Sequence, residues 1–251
     1  MPSLSPLATD LARALDPTRV MLDAGMEPDP WQGDLLRSES DRVLLLCSRQ
    51  AGKSTTTAAL AVNTALTDPG LVLLVAPAQR QSVELFRKTK ELLLKQPDAP
   101  RLEFESAMRM ELANGSRVVA LPGSEATIRG FSSPKLIVVD EAARVEDELF
   151  TALRPMLATG NGRMILLTTP WGKRGWFYRA WTEGKGWERI RITANQCPRI
   201  RKDWLEEERK IIGEWRYLQE FECEFVDSTE SPFSSQLVEA ALRPCGGALW
   251  T

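Results

Sequence analysis

With 251 residues, the chain is long enough for one sizeable α/β domain and a small appendage, and its 43% hydrophobic and 26% charged residues are ordinary for a globular protein. It has no histidine and four scattered cysteines, Cys47, Cys197, Cys223 and Cys245, which excludes imidazole-dependent nucleophilic catalysis and leaves no zinc-ligand spacing. A net charge of −2 and a pI near 5.5 give no global nucleic-acid signature, so any DNA contact has to come from a local basic patch.

No apolar run approaches the roughly 20 residues that cross a bilayer, and no charged-then-apolar leader opens the chain. The expectation is a cytosolic protein with reduced thiols and no membrane association. Residues 1–30 hold Pro2, Pro6, Pro17, Pro28 and Pro30 around one helix-like stretch, Leu7 to Leu15, and are expected to form a leader packed on the core. Trp31-Gln32 follows in "PDPWQGDLLR". An amide both donates and accepts, which matches an adenine edge, so Gln32 is a candidate reader of that base.

The stretch "VLLLCSRQAGKSTTTAAL" from Val43 to Leu60 joins a short apolar run, a Gly-Lys-Ser and a helical segment. The run suits a strand covered on both faces. A loop entering a helix N-terminus presents unpaired N–H groups and a favourable dipole to anions, so Ser48, Arg49, Gln50, Ala51, Gly52, Lys53, Ser54 and Thr55 form a candidate phosphate cradle. Lys53 is expected to reach the β- and γ-phosphates and Ser54 to hold Mg²⁺. Cys47 stands where the usual pattern opens with glycine.

Leu71 to Ala76 reads as a second buried strand, followed by a helix over Gln79 to Lys95. "MRMELANGSRVVAL" alternates about an Asn-Gly, which predicts a hairpin between Met108 and Leu121. Two more buried strands, Leu136 to Val139 and Met164 to Leu167, run into Asp140-Glu141 and Thr168-Thr169-Pro170. Alternating strands and helices imply a mainly parallel sheet whose strand ends collect chemistry on one edge. Asp140 is assigned to the Mg²⁺ shell and Glu141 to the attacking water. Thr168 and Thr169 either sense the γ-phosphate and couple hydrolysis to motion or cap the next turn. For the charge-stabilising arginine two candidates stay open: Arg49, in cis within the phosphate loop, and Arg129, in "IRGFSSP", in trans from a neighbouring subunit.

After Gly172 the composition changes to tryptophan and charge, and a strand over Glu188 to Thr193 with a helix over Lys202 to Ile212 is expected to build a small lid subdomain. The predicted organisation is a leader over 1–30, an ATPase core over 31–172, a lid over 173–230 and the start of a linker over 231–251. Two basic clusters are candidates for DNA: Arg80, Arg87, Lys88 and Lys90 on the helix after the second strand, and Lys173 with Arg174 beside Thr168-Thr169.

Taken in order, "PDPWQ", "CSRQAGKST", "VAPAQRQSVELF", "IRGFSSPKLIVVDEAA", "LLTTPWGKRGWFY" and the segment "CPRIRKDWLEEERKIIGEWRYLQEFECEFVD" resemble the successive motifs of bacteriophage terminase large subunits, over roughly Pro30 to Phe233. The resemblance implies a P-loop NTPase of the RecA-like, ASCE kind, binding ATP and Mg²⁺. It further implies a DNA-packaging motor acting in the host cell cytoplasm on double-stranded DNA. Its implied partners are a portal protein and a small terminase subunit, and it works as a homo-oligomeric ring that is monomeric in isolation. In that family the first glycine of the phosphate loop is commonly missing, so Cys47 is expected there. A nuclease belongs to a C-terminal part that this sequence does not contain, since Asp227, Glu230 and Glu239 are too few for a two-metal site. The alternative reading is a helicase-like nucleic-acid translocase, which needs a second RecA-like domain.

Overall fold

In the computed structural model, which describes residues 6–123, 128, 130–158 and 160–226, the apolar runs become adjacent strands of one sheet. The strands are β1 (Arg42–Cys47), β2 (Leu71–Ala76), β3 (Leu102–Glu105), β4 (Arg109–Leu112), β5 (Arg117–Pro122), β6 (Leu136–Asp140), β7 (Arg163–Thr168) and β8 (Glu188–Ile192). Their spatial order is β3-β4-β5-β2-β6-β7-β1-β8. From β5 to β8 every neighbouring pair is parallel, while β3 and β4 extend the sheet antiparallel through the predicted hairpin.

The helices are α1 (Pro6–Leu15), α2 (Arg19–Asp23), α3 (Pro30–Arg37), α4 (Lys53–Thr67), α5 (Gln79–Leu94), α6 (Asp147–Leu153), α7 (Gly175–Thr182), α8 (Lys202–Ile212) and α9 (Glu214–Glu220). Side chains of successive strand residues point to opposite faces, so each buried run feeds two cores. Val43, Leu45, Val72, Leu74, Val138 and Ile165 pack with α2 to α5, including Val20 and Met21 of the leader. Leu44, Leu46, Leu73, Ile137, Val139 and Leu166 pack on the other face with Leu149, Leu153, Trp176 and Phe177.

The strand over Glu188 to Thr193 does not belong to a separate lid. Residues Glu188 to Ile192 pair in parallel with Val43 to Cys47 and form the edge of the central sheet. The exposed-buried alternation of an edge strand reads as peripheral in sequence even where the backbone joins the core ladder. What lies beyond the sheet is a small cluster of Ala194, Leu205, Tyr217 and Phe221 joining α8 and α9.

One glycine fixes the junction before β7. A Cβ on Gly162 would sit 1.9 Å from the carbonyl oxygen of Pro134, where the backbone crosses just ahead of the Lys135 carbonyl that accepts from Arg163 N at 2.9 Å. Gly162→Ala is therefore expected to destabilise the fold by about 3 kcal/mol through a backbone clash that no rotamer relieves. Urea denaturation should show a lower midpoint with an unchanged slope.

Candidate nucleotide-binding site

The C-terminal ends of β6, β7 and β1 lie side by side, with Asp140 in register with Leu167 and Leu46 with Thr168. The strand carrying Thr168 is thus inserted between the strand that ends in Cys47 and the strand that ends in Asp140. A cavity of about 860 Å³ opens over this edge, and its lining includes Gln32, Arg49, Gln50, Gly52, Lys53, Ser54, Thr55, Lys88, Glu141, Arg144 and Arg199.

The loop from β1 to α4 has left-handed backbone at Gln50 (φ 59°) and Gly52 (φ 97°). Cys47 is still in the strand, fully buried, and needs no such conformation. This explains why a glycine is dispensable at 47 and required at 52, the N-cap of α4. The loop is anchored from outside as well: Ser48 N donates to Ile192 O at 2.9 Å and Arg49 N to Glu220 O at 3.0 Å. The Lys53 ammonium donates to Ser48 O at 3.1 Å, holding the loop as a closed turn. Arg49 forms an ion pair with Glu220 at the end of α9, 2.5 Å from Nε to Oε2.

Gln32 is fully buried. Its Oε1 accepts from Asp29 N at 2.9 Å and its Nε2 donates to Thr56 Oγ1 at 2.8 Å, so it ties the N-terminus of α3 to α4 while lining the cavity. Arg199, within the segment that begins at Cys197 but not singled out in it, completes that strap. Its guanidinium meets Asp29 (Nη1 to Oδ1, 3.2 Å) and the Ala51 carbonyl (Nη2 to O, 3.0 Å). No local pattern announces such a residue, because its partners lie 170 and 148 positions away.

Asp140 and Glu141 diverge in role. Burial, then the Glu141 carboxylate, push the Asp140 carboxyl up from 3.8 to about 6 against the pull of Lys53. Its Oδ1 accepts from Glu141 N at 2.9 Å. Glu141 itself has left-handed backbone, φ 50° and ψ 42°, an unfavourable conformation for a non-glycine residue that aims its side chain into the cavity. Its Oε2 lies 3.5 Å from both Thr169 Oγ1 and Arg144 Nε. Thr168 Oγ1 donates to Thr169 O at 2.7 Å and accepts from Ala143 N at 3.4 Å. Both threonines of the predicted coupling pair are therefore bonded to the acidic turn.

A divalent cation suits this corner. The raised proton affinity of Asp140 marks a negative charge without sufficient compensation, and the Ser54 hydroxyl faces the same cavity. Among the described residues no three Cys, Asp or Glu side chains gather as a metal-ligating group.

Of the predicted DNA contacts on α5, Arg87 pairs with Glu84 (2.7 Å) and Glu91 (2.5 Å), Lys90 pairs with Glu105, and Lys88 lines the cavity. Arg174 lies with its guanidinium 5.5 Å from the Trp171 ring. Arg129 lies outside the described residues. The three described thiols, Cys47, Cys197 and Cys223, are buried and free, and burial raises all three above the usual thiol range.

A parallel sheet with a strand between the phosphate-loop strand and the acidic strand, and Lys53 and Glu141 lining one cavity with Asp140 beside Glu141, define a P-loop nucleotide-binding protein of the ASCE kind. The family model described as terminase large subunit, T4likevirus-type, N-terminal, matches residues 44–239. The terminase large subunit of Escherichia phage T5 is 27% identical over 218 residues, covering 82% of this chain and 50% of the relative. The large terminase ATPase domain of Thermus phage P74-26 superposes with a TM-score of 0.70 at 22% identity, covering 83% of this chain and 97% of that one. The large terminase of a second thermophilic bacteriophage, in complex with ATP-gamma-S, does so with a TM-score of 0.59 at 14% identity, covering 83% and 52%. The chain belongs to the terminase large subunit family, in its N-terminal part, and spans about half the length of the curated relatives it matches.

Proposed function

We propose that this chain is the ATPase motor part of a terminase large subunit, hydrolysing Mg²⁺-bound ATP to drive double-stranded DNA into a procapsid. The observation that carries the reading is that Lys53, Ser54 and Glu141 line one cavity over the ends of three adjacent strands, with Asp140 next to Glu141 and with Thr168 and Thr169 bonded to the acidic turn. Solved large terminases of the same fold from a thermophilic bacteriophage, in complex with ADP and with ATP-gamma-S, support a nucleotide in that place.

In this reading the N–H groups from Gly52 to Thr55 and the Lys53 ammonium cradle the phosphates, Lys53 exchanging the Ser48 carbonyl for phosphate oxygens. Ser54 and Asp140 hold Mg²⁺, which supplies charge neutralisation on the β- and γ-phosphates. Glu141 orients the attacking water. Gln32 offers adenine the amide N–H and lone pair that Thr56 and Asp29 leave over. Arg49 in cis or Arg129 in trans stabilises the transferring phosphoryl group, and Thr168 and Thr169 pass the change to the segment that follows. The partners are a portal protein and a small terminase subunit, with the motor a homo-oligomeric ring in the host cytoplasm. A trailing nuclease part belongs to the same proposal, as do boundaries near residues 30 and 230. The family match and the relatives do not favour the helicase-like alternative.

Steady-state ATPase assays with and without duplex DNA test the reading. The chain should hydrolyse ATP slowly alone, faster per subunit as protein concentration rises, and faster again with DNA. Lys173→Glu with Arg174→Glu should remove DNA stimulation and spare the basal rate. A basal rate indifferent to protein concentration would assign the finger to Arg49 in cis, and no turnover under any condition would refute the motor.

A further inference from the structure

Arg144 is three residues beyond Glu141 and is bound to both halves of the proposed hydrolysis and coupling apparatus. Its own N–H donates to the Glu141 carbonyl at 2.9 Å, closing the turn that the left-handed Glu141 begins. Its Nε lies 3.5 Å from Glu141 Oε2, the same oxygen that Thr169 Oγ1 approaches. On its other side the guanidinium stacks 3.9 Å from the centroid of the Trp171 ring. Trp171 stands two residues after Thr169, 36% exposed, and Arg174 contacts the same ring.

The contact with Glu141 is longer than an ordinary charge-assisted hydrogen bond, and the guanidinium N–H groups have no closer acceptor among the described residues. A planar fork with unfilled donors, lining the same cavity of about 860 Å³ as Lys53 and Gln50, is matched to a terminal phosphate, which offers more acceptor oxygens and more charge than one carboxylate. It is also the only described cation that touches Glu141 while stacking on the segment after β7.

On the reading of this cavity as an ATP site, we propose that Arg144 is a γ-phosphate-responsive positioning residue. A terminal phosphate draws its guanidinium away from Glu141, leaving that carboxylate to the attacking water, and lifts it from the Trp171 ring. The segment carrying Lys173 and Arg174 thereby registers whether the third phosphate is present. Nothing covalent changes at Arg144, and loss of the γ-phosphate returns the guanidinium to Glu141 and Trp171.

Equilibrium binding of ADP and ATP-gamma-S, each with Mg²⁺, to the full chain and to Arg144→Met tests this, with tryptophan fluorescence read against a Trp171→Phe background. ATP-gamma-S, and not ADP, should change the Trp171-dependent emission of the parent chain. Arg144→Met should abolish that change and weaken ATP-gamma-S about tenfold while leaving ADP within about twofold, the loss appropriate to one charge-assisted phosphate contact. Arg144→Lys, which keeps the charge and loses the stacking fork, should keep more of the ATP-gamma-S affinity and still lose the Trp171 signal. It carries the test should the methionine variant fail to fold. Equal weakening of both nucleotides, or a Trp171 response that persists without the arginine, overturns the proposal. A parent chain that binds neither nucleotide refutes the underlying ATP reading instead.

Discussion

Replacing Glu141 by glutamine is expected to lower ATP turnover by about 10² to 10⁴, the usual contribution of a positioned general base, with nucleotide affinity nearly unchanged. The substitution is isosteric, so the left-handed backbone and the acceptor for Thr169 persist, and only the charge that polarises water is removed. Lys53→Ala should separate from it cleanly. Its ammonium closes the loop on Ser48 O and is assigned to the phosphates, so its loss weakens binding itself. Single-turnover hydrolysis alongside equilibrium binding distinguishes the two variants. Hydrolysis by Glu141→Gln at the parental rate would remove Glu141 from the chemistry.

Asp140→Asn should be inactive and more stable. A carboxyl moved from 3.8 to about 6 by burial and by its neighbour Glu141 is harder to ionise in the folded chain than in the unfolded one. The folded state therefore binds more protons between those values, and stability falls as pH rises through that window. At neutral pH the penalty is on the order of 2 to 3 kcal/mol. Asparagine keeps the acceptor for Glu141 N and removes the charge. Its gain over the parent, read by denaturant unfolding without Mg²⁺, should be largest above pH 6 and vanish toward pH 4. A gain that grows on acidification would reverse the assignment. Asp140 is then an instance of a functional charge held at the expense of the fold.

Much of this arrangement was legible in the residue pattern because it depends on local chemistry. Leu71–Ala76 and Lys202–Ile212 fall where the apolar run and the helical spacing place them. The phosphate loop and the Asp-Glu pair announce themselves by a strand running straight into their side chains. What the pattern did not give depends on partners distant in sequence or on exposed edges. β3 has a mostly exposed face and no buried alternation to betray it, and β8 reads as a lid strand until its pairing with β1 is seen. Gln32 was read as a candidate for the adenine edge, and the pattern did not show that Asp29 and Thr56 also engage its amide. The Glu84 and Glu91 partners of Arg87 stand at helical spacings of three and four and were legible in the sequence, whereas the Lys90 pair with Glu105 of β3 was not. Arg144 had a signal, its spacing of three from Glu141 on a turn, whereas nothing local singles out Arg199 within the segment that carries it.

The anchoring of the phosphate loop bears on how the protein matures. Ser48 N and Arg49 N depend on carbonyls at Ile192 and Glu220, residues synthesised long after the loop itself. A nascent chain that has not yet emerged past Glu220 holds β1 and α4 without the acceptors that fix the turn between them, and contacts of such sequence separation form late. Competence for nucleotide is thus a property acquired near the end of this segment's synthesis. A ribosome-bound fragment ending before Glu220 has all eight of these strands and still lacks the carbonyl that holds Arg49 N, so the phosphate loop stays half-anchored after the sheet is complete.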